Sequence, residues 1–110
     1  MDSIRQYQQI LYKLLQTHAH KPSHGDIKPE IVVDRDEKHY ELMHVGWQGA
    51  QRVHGCVLHI DIVGDKIWIQ HDGTHLGVAS ELVEAGIPPE KIILGFRPEH
   101  VRQYTGYGVG

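Results

Sequence analysis

The sequence predicts an α+β fold, an antiparallel β-meander sheet with an N-terminal helix and a second helix packed on it, and three features carry that reading. The first is a run of apolar residues at helical spacing near the start, Ile4, Tyr7, Ile10, Leu11, Leu14 and Leu15, extended by His18. The second is the segment from Gly55 to Thr74, GCVLHIDIVGDKIWIQHDGT, in which apolar residues alternate on either side of Gly64-Asp65. Such a period of two around a turn dipeptide is the pattern of a half-buried hairpin. The third is a later apolar stripe, Leu76, Ala79, Leu82 and Val83, closed by Gly86 and by Ile87-Pro88-Pro89.

Each element follows from its residues. Ser3 and Gln6 form a capping-box pattern ahead of the first stripe, so a helix is expected up to about His18. His20-Lys21-Pro22-Ser23-His24-Gly25-Asp26 is a polar connection punctuated by Pro and Gly, and Glu30 to Arg35 then reads as a β-branched strand. Tyr40 to Trp47 alternates, and Gly49-Ala50 is a two-residue turn that sets Gln48 opposite Gln51. Asp72 or Thr74 is placed to cap the second helix. Ile92 to Phe96 reads as a short apolar strand, and Pro98 to Arg102 as one helical turn.

Carried without interruption from the Gly49-Ala50 turn, this register assigns the two sheet faces. Met43, Val45, Trp47, Cys56, Leu58, Ile60, Ile62, Ile67 and Ile69 share one, which reads as the core. Tyr40, Leu42, His44, Val53, Val57, His59, Asp61, Trp68 and Gln70 share the other. Its mixture of aliphatic, aromatic and hydrogen-bonding groups is too apolar for free solvent and too polar for an ordinary core, which suits an interface. The candidate interaction face is therefore Tyr40, Leu42, Val57, His59, Asp61, Trp68 and Gln70. The ordinary alternative is a helix of the same chain covering it.

Composition narrows the function classes. The chain of 110 residues suits one domain, 1–110, and carries 11 Lys+Arg against 14 Asp+Glu, a net charge of -3. The basic residues are scattered singly, so no stripe exists to neutralise a run of phosphates, and tight direct DNA binding is not expected. A single cysteine, Cys56, cannot form an internal disulfide, which fits a reducing cytoplasm. No apolar run approaches the ~20 residues of a membrane span, and no basic, apolar leader is read at Met1-Asp2-Ser3.

Several short stretches occur in an order that resembles the XisI family. They are His44-Val45-Gly46-Trp47, Arg52-Val53-His54-Gly55-Cys56, His59-Ile60-Asp61-Ile62 and Trp68-Ile69-Gln70-His71-Asp72-Gly73-Thr74, followed by Glu81-Leu82-Val83, Gly86-Ile87-Pro88 and Ile93-Leu94-Gly95-Phe96. The tail departs, since Tyr107-Gly108-Val109-Gly110 has glycines where the family usually closes on an aromatic-Ala-Val ending. The resemblance implies a controlling factor for excision of the fdxN DNA element during cyanobacterial genome rearrangement. It would assist a site-specific recombinase and a XisH-type companion protein rather than cut DNA itself.

Ten histidines invite other readings. Imidazole and carboxylate are standard ligands for zinc and non-haem iron, and His44, His54, His59, His71 and His75 lie near Asp61 and Asp72 in sequence. In the uninterrupted register His44 faces Gly55 and His59 faces Tyr40, about 13 Å apart at ~3.3 Å per residue, too far to share an ion. Only His59 and Asp61 are neighbours, so no metal, cofactor or catalytic residue is assigned, and the pair is read as hydrogen-bonded polar groups. A small metal-dependent or hydrolytic enzyme using His59, Asp61 and a third group is the alternative, as is a direct DNA-binding accessory. Cys56, expected on the aliphatic face, is not expected to act as a nucleophile with His54. His71-Asp72-Gly73-Thr74 could receive an anion at a helix start, but its ordinary reading is a turn and cap. The reading reached is a non-enzymatic, cytoplasmic protein-interaction factor forming a homodimer through the mixed face around Trp68.

Overall fold

The computed structural model describes residues 3–20 and 25–110. Helix α1 (Ser3–Ala19) leads into strands β1 (Asp26–Val33), β2 (His39–Gln48), β3 (Gln51–Val63) and β4 (Lys66–Asp72), then α2 (Ala79–Glu84), β5 (Ile92–Leu94) and α3 (Glu99–Arg102). The sheet order is β1-β2-β3-β4-β5. The first four strands form the predicted antiparallel meander. Strand β5 is added parallel to β4, which the intervening α2 makes possible as a crossover.

Most elements lie where local chemistry placed them. Helix α1 buries Tyr7, Leu11, Leu14, Leu15 and His18, the predicted stripe. Gln48 pairs with Gln51 across the Gly49-Ala50 turn, and Val63 pairs with Lys66 across Gly64-Asp65. Gly49 and Gly64 have φ of 62° and 63°, a left-handed geometry that a side chain would disfavour. Strand β1 begins four residues before the expected Glu30 and ends before Arg35. It takes in Pro29, which an edge strand accommodates because one side of its backbone needs no ladder bond. Residues 21–24 of the predicted connection lie outside the described residues.

The main departure is in register. Leu42 pairs with Leu58, but Met43 pairs with Cys56, so Val57 is an extra residue in β3. A second shift follows at Gln70, because Ile60 pairs with Ile69 but His59 with His71. An inserted residue reverses which face every residue beyond it occupies. Tyr40 and Leu42, both only 1% exposed, therefore join Leu58, Ile60, Ile62, Ile67 and Ile69 in the core and do not lie on the mixed face. Burial pushes the Tyr40 hydroxyl up to about 12. Conversely Met43, Val45, Trp47 and Cys56 leave the core face, and Trp47 is 49% exposed.

Helices α1 and α2 both contribute to this one core, through Leu11 and Leu15 from α1 and Leu82 from α2. His18 Nε2 lies 3.0 Å from Glu81 Oε2 and ties the two helices together at the core margin. Helix α2 starts later than predicted. The Asp72 carboxylate accepts hydrogen bonds from the Thr74 and Val78 backbone amides, and the Thr74 hydroxyl accepts one from Gly77, so these residues close a turn before Ala79. Leu76, expected on the apolar stripe, sits on that turn and is 89% exposed. The helix ends as predicted at Gly86, whose amide bonds to Val83 O while the Ile87 amide bonds to Leu82 O, a Schellman closure.

The tail runs along the β5 edge of the sheet, with Gly108 bridged to Ile93 and Tyr107 packed against the core. The Gly108 amide donates to Ile92 O, and a side chain here would place Cβ 2.4 Å from Glu90 O, so glycine is what permits the contact. Arg102 stacks 5.0 Å above the Trp68 ring. Among the described residues no helix is long and apolar enough to cross a membrane.

Candidate functional site

The sheet face away from α1 and α2 carries a cluster of hydrogen-bonded polar side chains. Its centre is Asp61 on β3, a carboxylate only 9% exposed. Such a group is tolerated where it is well hydrogen-bonded. His59, two residues earlier on the same strand, places Nε2 2.9 Å from Asp61 Oδ1. Gln70, the extra residue of β4, donates from Nε2 to the other oxygen, Oδ2, at 3.3 Å.

The third partner is His39, whose Nδ1 lies 2.8 Å from the same Asp61 Oδ1. His39 starts β2 and pairs directly with Asp61, a partnership created by the Val57 bulge. In an uninterrupted register it would have faced Ile60. The turn before it is set by Asp34, whose Oδ1 accepts from the Lys38 and His39 amides at 2.7 and 2.9 Å. The hydrogen bond to Asp61, reinforced by that carboxylate's charge, raises the His39 pKa above the ordinary imidazole value. Glu41 Oε1 stands 3.9 Å from the free Nδ1 of His59, so a second carboxylate flanks the cluster.

Of the residues predicted for the interaction face, His59, Asp61 and Gln70 thus form one hydrogen-bonded unit. Trp68 pairs with Asp61 and is half-buried beneath Arg102. Val57, predicted on this face, is half-buried and packs against the core instead, because the inserted residue turns to the same side as Leu58. His44 does face Gly55, but His59 pairs with Glu41 and His71 rather than Tyr40. Distance therefore separates His44 from His59, while the pairing brings His39, absent from the sequence-based candidates, onto Asp61.

Cys56 lies on this face too, rather than in the aliphatic core, and donates from Sγ to Leu58 O. Burial, with the Glu41 charge, pushes its thiol above the usual range, the direction opposite to activation. Arg52 stacks 5.3 Å over Trp47 near the hairpin tip, leaving Trp47 half exposed.

Comparison with known proteins adds a family context. The family model described as XisI protein matches residues 1–109. A crystal structure of a XisI-like protein from Anabaena variabilis has 41% identity and a TM-score of 0.89, covering 99% of this chain and 100% of its own. Another structure, the fdxN element excision controlling factor XisI from the same organism, has 29% identity and a TM-score of 0.84 with the same coverage. No curated protein matches the chain.

Proposed function

The chain belongs to the XisI family, and from that premise we propose that it is a non-enzymatic controlling factor acting through protein contacts of its open sheet face. The carrying observation is the one-sided covering of the sheet. Both apolar stripes, from α1 and α2, go to one core, while Trp47 and Val63 on the other side are 49% and 54% exposed and Met43 and Val45 are half-buried. Aromatic and aliphatic groups around a buried, satisfied polar cluster are the composition of a specific interface rather than of a solvated face. Among the described residues, Arg102 and the tail cover its Trp68 end.

Two kinds of partner follow. A second copy can meet the face by twofold symmetry, which needs only a self-complementary patch. A XisH-type companion and a site-specific recombinase are the partners implied by the family, with excision of a DNA element in the cytoplasm as the process served. His59, Asp61, Trp68 and Gln70 are the proposed contact residues; Val57 is not, because at the bulge it packs against the core. Tyr40 and Leu42 are not, because they are buried beneath α1 in the core.

Purified full-length chain mixed with a XisH-type protein from the same genome should elute as a stoichiometric complex, and Trp68→Glu should weaken it. A salt titration against duplex DNA provides the contrast. Net charge of -3 leads us to expect no tight binding near physiological salt. Tight, steeply salt-dependent DNA binding without any protein complex would replace this function with direct DNA recognition.

A further inference from the structure

We propose that His39, His59 and Asp61 form a binding site for a divalent transition-metal ion of the zinc class on the open face of the sheet. Each of the three residues can offer one donor atom with all three within 4.8 Å of one another, and His39 Nδ1 and His59 Nε2 both stand beside Asp61 Oδ1, at 2.8 and 2.9 Å. Two imidazoles and one carboxylate make an open, three-ligand set of the kind that leaves a coordination position for water or for a partner's side chain.

The geometry needs little adjustment. At zinc–ligand distances of ~2.0–2.1 Å, tetrahedral ligands lie about 3.3 Å from one another. The two histidine–aspartate separations, 2.8 and 2.9 Å, would open slightly, and the two nitrogens need close by no more than about 1.5 Å. His39 can supply that movement. Its side chain is 60% exposed and begins a strand, so it is free to rotate and also gives an ion access from solvent. Asp61 and His59 are the fixed side of the site, on the central strand β3.

The surroundings match what metal sites require of their supporting groups. Gln70 holds Asp61 Oδ2, which leaves Oδ1 directed at both imidazoles. Glu41 stands by the other ring nitrogen of His59, at 3.9 Å, close enough for direct or water-bridged orientation of the imidazole. Nitrogen donors select zinc, cobalt or nickel over calcium and magnesium, which prefer oxygen sets. Without an ion, both imidazoles donate to one carboxylate oxygen; the metal would replace those two hydrogen bonds. Binding does not depend on the partner-based function, and a face interaction could exist with or without it.

Calorimetric titration of the tag-free full-length chain with zinc chloride, backed by competition with a chromophoric chelator, tests the site. We expect saturation at about one zinc per chain, undisturbed by excess magnesium. His39→Ala, at an exposed position, should reduce affinity at least about tenfold while the circular dichroism spectrum is kept, and Gln70→Ala should reduce it by a smaller factor. His100→Ala, at an exposed residue outside the cluster, should change nothing. Cobalt substitution should give visible absorption bands that disappear in His39→Ala. No zinc uptake, or uptake equally strong in folded His39→Ala and His59→Ala, would overturn the proposal.

Discussion

On the α1 and α2 side of the sheet Leu58, Ile60, Ile67 and Ile69 are wholly excluded from water, whereas their immediate neighbours His59, Asp61 and Trp68 point to the other face, where Arg102 stacks over the Trp68 end. Both faces come from the same strands and the same alternation. What separates them is the pair of one-residue insertions at Val57 and Gln70. The Val57 insertion keeps Tyr40 and Leu42 with the aliphatic side chains of β3 and sends Met43, Val45 and Trp47 to the open side, while the Gln70 insertion sets that side chain beside Asp61. One face is thereby committed to the aliphatic core, and the other carries the polar cluster around Asp61.

Substitution on each face should break or sharpen this contrast. Ile60→Ala, deep in the core, should cost about 2–5 kcal/mol in urea unfolding, through lost burial and the cavity left behind. Gly108→Ala should cost about 1–3 kcal/mol, because the new methyl group meets Glu90 O and the Ile93 side chain. It should also loosen the tail over Trp68, visible as a red-shifted emission in a Trp47→Phe background. Trp47→Ala, on the open face, should change monomer stability by no more than about 0.5 kcal/mol despite removing the larger side chain. A cost matching that of Ile60→Ala would mean the two faces are not distinct in kind.

The smallest effect concerns the turn that delivers His39 to the open face. The backbone bond from His39, followed by that from Lys38, holds the Asp34 carboxyl below its usual value of 3.8. A depressed folded-state pKa stabilises above the unfolded value and is lost as pH falls through the folded one. Asp34→Asn should therefore be less stable than the wild type at neutral pH, and the gap should close as pH drops below about 3.8. A gap unchanged by acid would show that hydrogen bonding alone, without ionisation, sets this turn.

How much of this was legible follows from how local each cause is. Helix α1 and the Gly49-Ala50 and Gly64-Asp65 turns were readable because spacing and turn chemistry decide them within a few residues. The bulges were not, since adding Val57 leaves alternation on either side intact and shows only as a conflict between strands. That conflict was present in the sequence. An uninterrupted register put Tyr40 and Leu42 on the face opposite Leu58 and Ile60, and requiring the large apolar groups to share a core would have called for an extra residue. The same correction brings His39 to Asp61. Leu76 was misassigned because Asp72 and Thr74 serve the turn rather than the helix start, and the parallel placement of β5 depends on packing beyond its own residues.

Light scattering on the wild type and Trp68→Glu, with circular dichroism on both, tests most directly whether the uncovered face is an interface. The account predicts a wild-type dimer that Trp68→Glu separates into folded monomers, because the charge lies on the open face and leaves the aliphatic core intact. A wild type that stays monomeric at high concentration, or a dimer that persists unchanged in Trp68→Glu, would contradict it.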